Sequence, residues 1–228
     1  QELKHEKMSS VDSISFENVS FSYESRNEQE PKKIISDLSA EFNKGEIIHV
    51  KGENGKGKST FIKLLDGLLE PDNGIIRFNN KKLSDIEPSA RCASILNVGQ
   101  SETLLNETIE DYLKIMGAGV NGDEAVDEKK VHEIMSKLGL DGIGRGIEEL
   151  GMSLSGGQRR KMLLAKLMLF YEYAPVIIID EIENDLDKDT RELWNEFTKK
   201  LYAEKDKHII FYISHDKSEE YCTREFVL

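Results

Sequence analysis

Gly52-Glu53-Asn54-Gly55-Lys56-Gly57-Lys58-Ser59 fits the pattern G-x-x-x-x-G-K-[ST], which demands a backbone that few folds supply. Glycines at 52, 55 and 57 let the chain curl until successive N–H groups point inward at an anion, a nest that Cβ atoms would obstruct. Lys58 then brings a mobile positive charge to β- and γ-phosphate oxygens. The Ser59 hydroxyl, with Thr60 behind it, is small enough to ligate a Mg²⁺ bridging them. Such a loop needs a strand before it and a helix after it. Glu46 to Lys51 (EIIHVK) is a short β-rich run, and Ser59 to Leu65 (STFIKLL) has helical spacing of apolar residues before Gly67 and Pro71 stop it. The helix N-terminus therefore faces the phosphates, and its dipole assists. A glycine-rich turn with a chance Lys-Ser is the competing reading, so the rest of the chain decides.

With 228 residues, 38% of them hydrophobic, the chain can bury one α/β core with a subdomain attached. Its longest apolar stretches, Val176 to Ile179 and Met162 to Leu164, are far shorter than the ~20 residues that span a bilayer, so no membrane crossing is expected within it. A net charge of -12 argues against a duplex nucleic-acid partner, which calls for a basic face. Cys92 and Cys222 have neither metal-ligand spacing nor a disulfide framework, which suits a reducing, cytoplasmic setting. Gln1 to Ser10 is polar and carries no secretory signal. Residues 1–12 read as a linker or extension before a domain over 13–228. The absence of Met at position 1, and the strand-like REFVL at the other end, read as boundaries within something longer.

Ile14 to Phe21 alternates apolar and polar residues, the period of a half-buried strand. Glu24 to Lys33 is a charged loop, followed by a strand over Ile34 to Phe42 and a turn at Asn43-Lys44-Gly45. A turn at Asn73-Gly74 leads into a strand over Ile75 to Phe78. From Leu104 to Leu150 the character changes, with helical periodicity in Ile109 to Met116 and Val131 to Leu138 separated by a Gly- and Asp-rich break over Gly117 to Asp127. Helical spacing returns from Ser155 to Phe170. Val176 to Ile179 is a fully buried strand, Asp189 to Glu204 a helix, Lys207 to Ile213 a strand and Asp216 to Cys222 a short helix. This alternation indicates a mostly parallel sheet with flanking helices and an inserted helical block.

Two further strings carry chemistry. Asp180 and Glu181 end the buried strand, where ligands bind in parallel α/β sheets. Asp180 suits a contact to Mg²⁺, and Glu181 suits orienting or deprotonating an attacking water. Alone, the pair also reads as a strand ending in solvated acids. Leu154-Ser155-Gly156-Gly157-Gln158 starts a helix and would present N–H groups and a positive dipole end to an anion.

In this motif order, from about Ile14 to Leu228, the chain resembles the nucleotide-binding domain of an ATP-binding cassette transporter. The resemblance implies an α/β fold: a P-loop NTPase core with a mostly parallel sheet, an antiparallel β subdomain and an α-helical signature subdomain over about 101–170. It implies ATP contacts from Gly52, Glu53, Asn54, Gly55, Lys56, Gly57, Lys58, Ser59 and Thr60. Tyr23 resembles the aromatic residue that stacks on adenine, although a strand-end Tyr packing on its sheet reads the same way. Ser155, Gly156, Gly157 and Gln158 match the family's signature, which caps the γ-phosphate held by a second copy. Gln100 resembles the glutamine that reaches the Mg²⁺ or water. Asp187 resembles the aspartate of the loop linking the two ATP sites. His215 resembles the histidine that contacts the γ-phosphate and holds the water and Glu181 in register. The implied metal set is Ser59, Gln100 and Asp180. His5, His49, His132 and His208 match nothing in the family and read as surface or strand residues.

Ile147 to Gly151 (IEELG) resembles an exporter segment that contacts the membrane domain, whereas Asn54-Gly55 is more typical of importers and soluble members. Leu164-Ala165-Lys166-Leu167 stands where Ala-Arg-Ala is usual, and Ile182-Glu183-Asn184-Asp185 replaces Pro-Thr-Ser-Ala. The implied function is Mg-ATP hydrolysis by a head-to-tail dimer at the cytoplasmic face of the cell membrane, driving export through attached transmembrane domains. A stand-alone ATPase subunit of an importer or lipid extractor, and a soluble non-transport member, remain the alternatives.

Overall fold

A computed structural model describes residues 8, 10–24, 31–53, 55–99, 108–121, 126–143, 154–184, 186–214 and 221–228, with side chains at 118–121 excluded. Strands β1 (Ser13–Tyr23) and β2 (Lys32–Asn43) pair antiparallel. Alternation along β1 sends Ile14, Phe16, Val19 and Phe21 inward, interrupted by register shifts around Asn18, whose φ is +50°. β3 (Ile47–Lys51) leads into the phosphate loop and α1 (Lys58–Leu65). β4 (Asn73–Phe78) returns antiparallel to β1 and pairs with the short β5 (Lys81–Lys82). Asn73-Gly74, expected as a turn, instead opens β4. A Cβ at Gly74 would lie 2.4 Å from the Asn18 carbonyl oxygen, and φ is +85°, so only glycine lets the strands close there.

α2 (Pro88–Ser94) and β6 (Ile95–Gly99) follow, then α3 (Ile109–Asn121) and α4 (Glu128–Lys137). The expected break from Gly117 is corrected: α3 runs on to Asn121. Gly117 sits inside the helix because a Cβ there would meet Val126 at 2.2 Å and the Phe170 ring at 2.8 Å. Glycine here marks close packing, not a stop. α5 (Gly156–Phe170), β7 (Val176–Asp180), α6 (Lys188–Ala203), β8 (Ile209–Ile213) and β9 (Arg224–Val227) complete the order. β8 starts two residues later than the apolar pattern suggests, after a 3-10 turn over Lys205–Lys207. The helix expected over Asp216 to Cys222 falls mostly outside the described residues.

The second sheet has order β6-β7-β8-β3-β9, and every pairing in it is parallel. Strict alternation along its buried strands feeds two separate cores. Ile177, Ile179, Ile210 and Tyr212 face α3 to α6, while Val176, Ile178, Ile209 and Phe211 face α1 and the antiparallel sheet. Because both faces are covered, β7 and β8 read as continuous apolar runs. Phe42, fully buried, joins the two sheets, its ring edge-on to Phe211 at 5.0 Å and to Phe226 at 5.1 Å. Among the described residues no helix is long and apolar enough to cross a membrane.

Candidate functional site

β3 lies between β8 and β9, so the loop after Lys51 emerges at the carboxyl edge of the parallel sheet. Gly55 at φ +83° and Gly57 at φ +105° curl that loop in the left-handed region that favours glycine. The Lys56 N–H donates to the Glu53 carbonyl at 3.1 Å, closing the turn. Gly57 is the N-cap of α1 and offers no side-chain cap, which leaves first-turn N–H groups for an anion. The Lys58 ammonium donates to the Gly52 carbonyl at 2.5 Å, so it lies folded over the loop it belongs to.

A cavity of about 780 Å³ opens beside this loop. Glu53, Gly55, Gly57, Lys58, Ser59 and Thr60 line one wall, and Asp180 and Glu181 line another. Gly52 and Lys56 support the loop without lining the cavity, while Asn54, Gln100 and His215 lie outside the described residues. Asp180 ends β7 in register with Gly99 on β6 and Ile213 on β8. Glu181 then turns off the strand with φ +54°, its N–H donating to the Ile213 carbonyl at 3.0 Å. A left-handed glutamate costs on the order of 1–2 kcal/mol, the kind of strain that concentrates at working sites.

Tyr23 ends β1 with 39% of its surface exposed. Its ring stands edge-on to Phe21 at 4.9 Å, and its hydroxyl accepts from the Thr60 hydroxyl at 3.4 Å. The ring thus borders the phosphate-loop helix from outside the cavity.

Ser155 through Gln158 sit elsewhere, and none of them lines the cavity. Ser155 caps α5: its Oγ accepts from the Gln158 N–H at 3.2 Å, and the Gln158 Oε1 accepts from the Ser155 N–H at 2.9 Å. This reciprocal box occupies both side chains, and a Cβ at Gly157 would meet nothing within 4 Å. The helix start is therefore exposed, pre-formed and outside the cavity of its own phosphate loop.

Asp187 caps α6, accepting from the Thr190 N–H at 2.8 Å and from the Lys161 ammonium at 2.7 Å. Lys161 beside it, with the Thr190 bonds, holds its carboxyl well below the usual carboxylate range. The loop after Glu181 is thereby fastened to α5 within one chain.

One cluster escapes sequence reasoning altogether. Asp66, just past α1, accepts from the Asn97 amide at 2.6 Å, and the Asn97 carbonyl accepts from the buried Lys166 ammonium at 2.9 Å. Burial pushes the Asp66 carboxyl up to about 6, against the lowering effect of Asn97, Lys166 and Arg91. The available signals were an aspartate ending an apolar helix and an asparagine inside the apolar run ILNV, neither of which names a partner. Among the unmatched histidines, His49 on β3 is buried with Nε2 3.3 Å from the Ser214 carbonyl, and His208 is buried just before β8. His132 is exposed on α4, and His5 lies outside the described residues.

A parallel sheet with a phosphate loop at its carboxyl edge, an acidic strand tip opposite and a separate glycine-rich helix start define a nucleotide-binding cassette. Residues 35–184 match the family model described as ABC transporter, and the chain belongs to that family. A probable ABC transporter ATP-binding/permease protein of Haemophilus influenzae is 30% identical over 211 residues, covering 91% of this chain and 36% of that protein. The chain spans about a third of the length of the curated relatives it matches. In fold it resembles a bacterial Atm1-family ABC exporter with ATP bound, with TM-score 0.77 and 22% identity over 100% of this chain and 39% of that one. It also resembles the ATP-binding cassette MJ0796, solved as a dimer in a post-hydrolysis state with ADP and Pi, with TM-score 0.78 and 22% identity over 94% of each chain.

Proposed function

We propose that this domain binds Mg-ATP at the phosphate loop, closes head to tail on a second copy, and hydrolyses the nucleotide to drive export through a transmembrane partner. One observation carries the reading. The loop and the Asp180-Glu181 tip share one cavity, whereas the Ser155 helix start is exposed and outside it. Each chain then holds half of two sites. Gly52 to Thr60 would cradle the phosphates, with Lys58 leaving the Gly52 carbonyl for phosphate oxygens, and Tyr23 would border the base. Ser59 and Asp180 line the same cavity, and hard oxygen donors of this kind suit Mg²⁺, with Gln100 as a further ligand. The cation would neutralise charge on the β- and γ-phosphates. Glu181 would take the proton of the attacking water, and His215 would hold the γ-phosphate and water in register. Gly156 and Gly157 would offer N–H groups to the partner's γ-phosphate, with Ser155 and Gln158 fixing that helix start. The likeness in fold to an exporter with ATP bound, and the IEELG segment, support the export direction. They also support placement at the cytoplasmic face of the membrane.

Glu181→Gln tests this reading. It keeps the size of the side chain but cannot accept the proton, so turnover should collapse while ATP affinity persists and trapped ATP holds two chains together. Light scattering with Mg-ATP should show an ATP-dependent dimer. Near-normal hydrolysis by the variant overturns the assignment.

A further inference from the structure

Three elements that the proposed chemistry must keep in register meet at one part-buried polar link beside the cavity. Asp66 follows α1, whose first turn carries Lys58 and Ser59. Asn97 lies on β6, which ends at Gly99, directly before Gln100. Lys166 lies on α5, which begins at the Ser155 cap. The Asn97 amide donates to Asp66 Oδ2 at 2.6 Å, and the Asn97 carbonyl accepts from Lys166 Nζ at 2.9 Å. Asp66 Oδ1 is buried and unpartnered among the described residues, and Lys166 is only 7% exposed. Asp66 and Asn97 also line the cavity that holds Lys58, Asp180 and Glu181. A buried ammonium beside a half-buried carboxylate is expensive to retain for stability alone, since apolar replacements of similar volume are often as stable or more so.

We infer that Asp66, Asn97 and Lys166 are positioning residues for ATP hydrolysis, fixing β6 between the phosphate-loop helix and the signature helix. β6 is the natural target of such a brace. Its tip packs so closely on Asp180 that a Cβ at Gly99 would stand 3.0 Å from the Asp180 Cβ. A shift of β6 along its own axis therefore moves the acidic strand tip relative to the phosphate loop. Misplacement on the order of 1 Å is enough to cost about a hundredfold in rate. The link acts through geometry, so it governs turnover far more than ATP affinity. The charged groups facing Asp66 are Lys166 from α5 and Arg91 from α2, with Lys63 on its own helix and Lys58, Asp180 and Glu181 around the shared cavity. Protonating Asp66 removes the charge that holds Asn97 and Lys166, so turnover declines as pH falls through about 6.

This inference rests on the ATPase reading, and the experiment separates the two. Steady-state ATPase kinetics and nucleotide affinity are measured on the dimer-forming chain for wild type, Asn97→Leu, Asp66→Asn, Lys166→Met and Lys166→Arg, from about pH 5.5 to 8. Asn97→Leu keeps the shape and the backbone carbonyl but removes the amide. It should lower kcat by about tenfold or more with KM and ATP affinity within about threefold. Lys166→Arg should restore most of the turnover lost in Lys166→Met. Asp66→Asn should remove the acid limb near pH 6. Asn97→Leu with wild-type kcat, or an Asp66→Asn pH profile that overlays the wild type, overturns the inference while leaving the ATPase reading intact. An inactive wild type that also fails to bind ATP sinks the ATPase reading itself.

Discussion

Replacing Asp187 by Ala removes a helix cap on Thr190 and an ion pair with Lys161, whose sizes can be estimated separately. Its carboxylate caps α6 through the Thr190 N–H at 2.8 Å, and loss of such a cap costs about 1 kcal/mol. It also pairs with Lys161 at 2.7 Å, with 23% of the Lys161 side chain and 52% of the Asp187 side chain exposed. A pair so exposed to solvent contributes about 0.5 kcal/mol. Asp187→Ala should therefore destabilise the domain by about 1.5 kcal/mol, or about 3–6 °C in Tm for a chain of this size. Asp187→Asn retains a good cap and loses only the ion pair, so it should cost about a third as much. The pH dependence has a definite sign. The folded carboxyl sits below its unfolded value, so its contribution is present above about pH 4 and fades as pH falls further toward the folded value. Urea unfolding at neutral and acidic pH, with Lys161→Met completing a double-mutant cycle, measures each part. If Asp187→Asn is as unstable as Asp187→Ala, the cap is not what Asp187 supplies and the partition is wrong.

Three other outcomes are expected. Lys58→Ala should abolish measurable ATP binding, because the backbone nest alone compensates phosphate charge poorly; unchanged affinity by calorimetry would remove the basis for placing ATP at this loop. Phe42→Ala should cost about 3–5 kcal/mol in denaturant unfolding, since its ring is fully buried between the two sheets, and a loss under about 1 kcal/mol would mean the sheets do not depend on it. Burial holds the His208 imidazole below its ordinary value while its Nδ1–H donates to the Ala174 carbonyl at 2.8 Å. The unfolded chain therefore takes up a proton first, and stability falls as pH drops below about 6.5; His208→Asn, which can keep the Ala174 bond, should flatten that slope, and an unchanged slope would clear His208 of any part in it.

The strands that carry the site were legible because their burial is two-sided. Val176 to Ile179 is continuous and β-branched, and the phosphate loop brackets itself with a strand and a helix. α2 and β6 were not legible. Pro88–Ser94 is too short for a helical period to show, and Asn97 interrupts the apolar run of β6. That polar residue is tolerated only because Asp66 and Lys166, 31 and 69 positions away, arrive beside it. Two glycines misled in the same way. Gly74 and Gly117 looked like punctuation, yet both sit within elements where a neighbour's atoms leave no room for a Cβ. The separation of Ser155, at the start of α5, from the phosphate loop was likewise not legible in local pattern; only the family resemblance implied it.

That helix explains how the two halves of the site can be kept in step. α5 presents the proposed signature at its N-terminus, ties the loop after Glu181 through Lys161 and Asp187, and ties β6 through Lys166 and Asn97. At a rise of 1.5 Å per residue, the 11 residues from Ser155 to Lys166 span about 16 Å, so one rigid rod touches all three. Met162 through Leu167 are buried, which denies the rod any easy route to bend. A force on Ser155 from a partner's nucleotide would then reach both acidic residues of this chain by rigid displacement, with no change of secondary structure. The polar ties set where that displacement arrives, which is why removing the Asn97 amide should disturb turnover even though the helix and the strand remain folded.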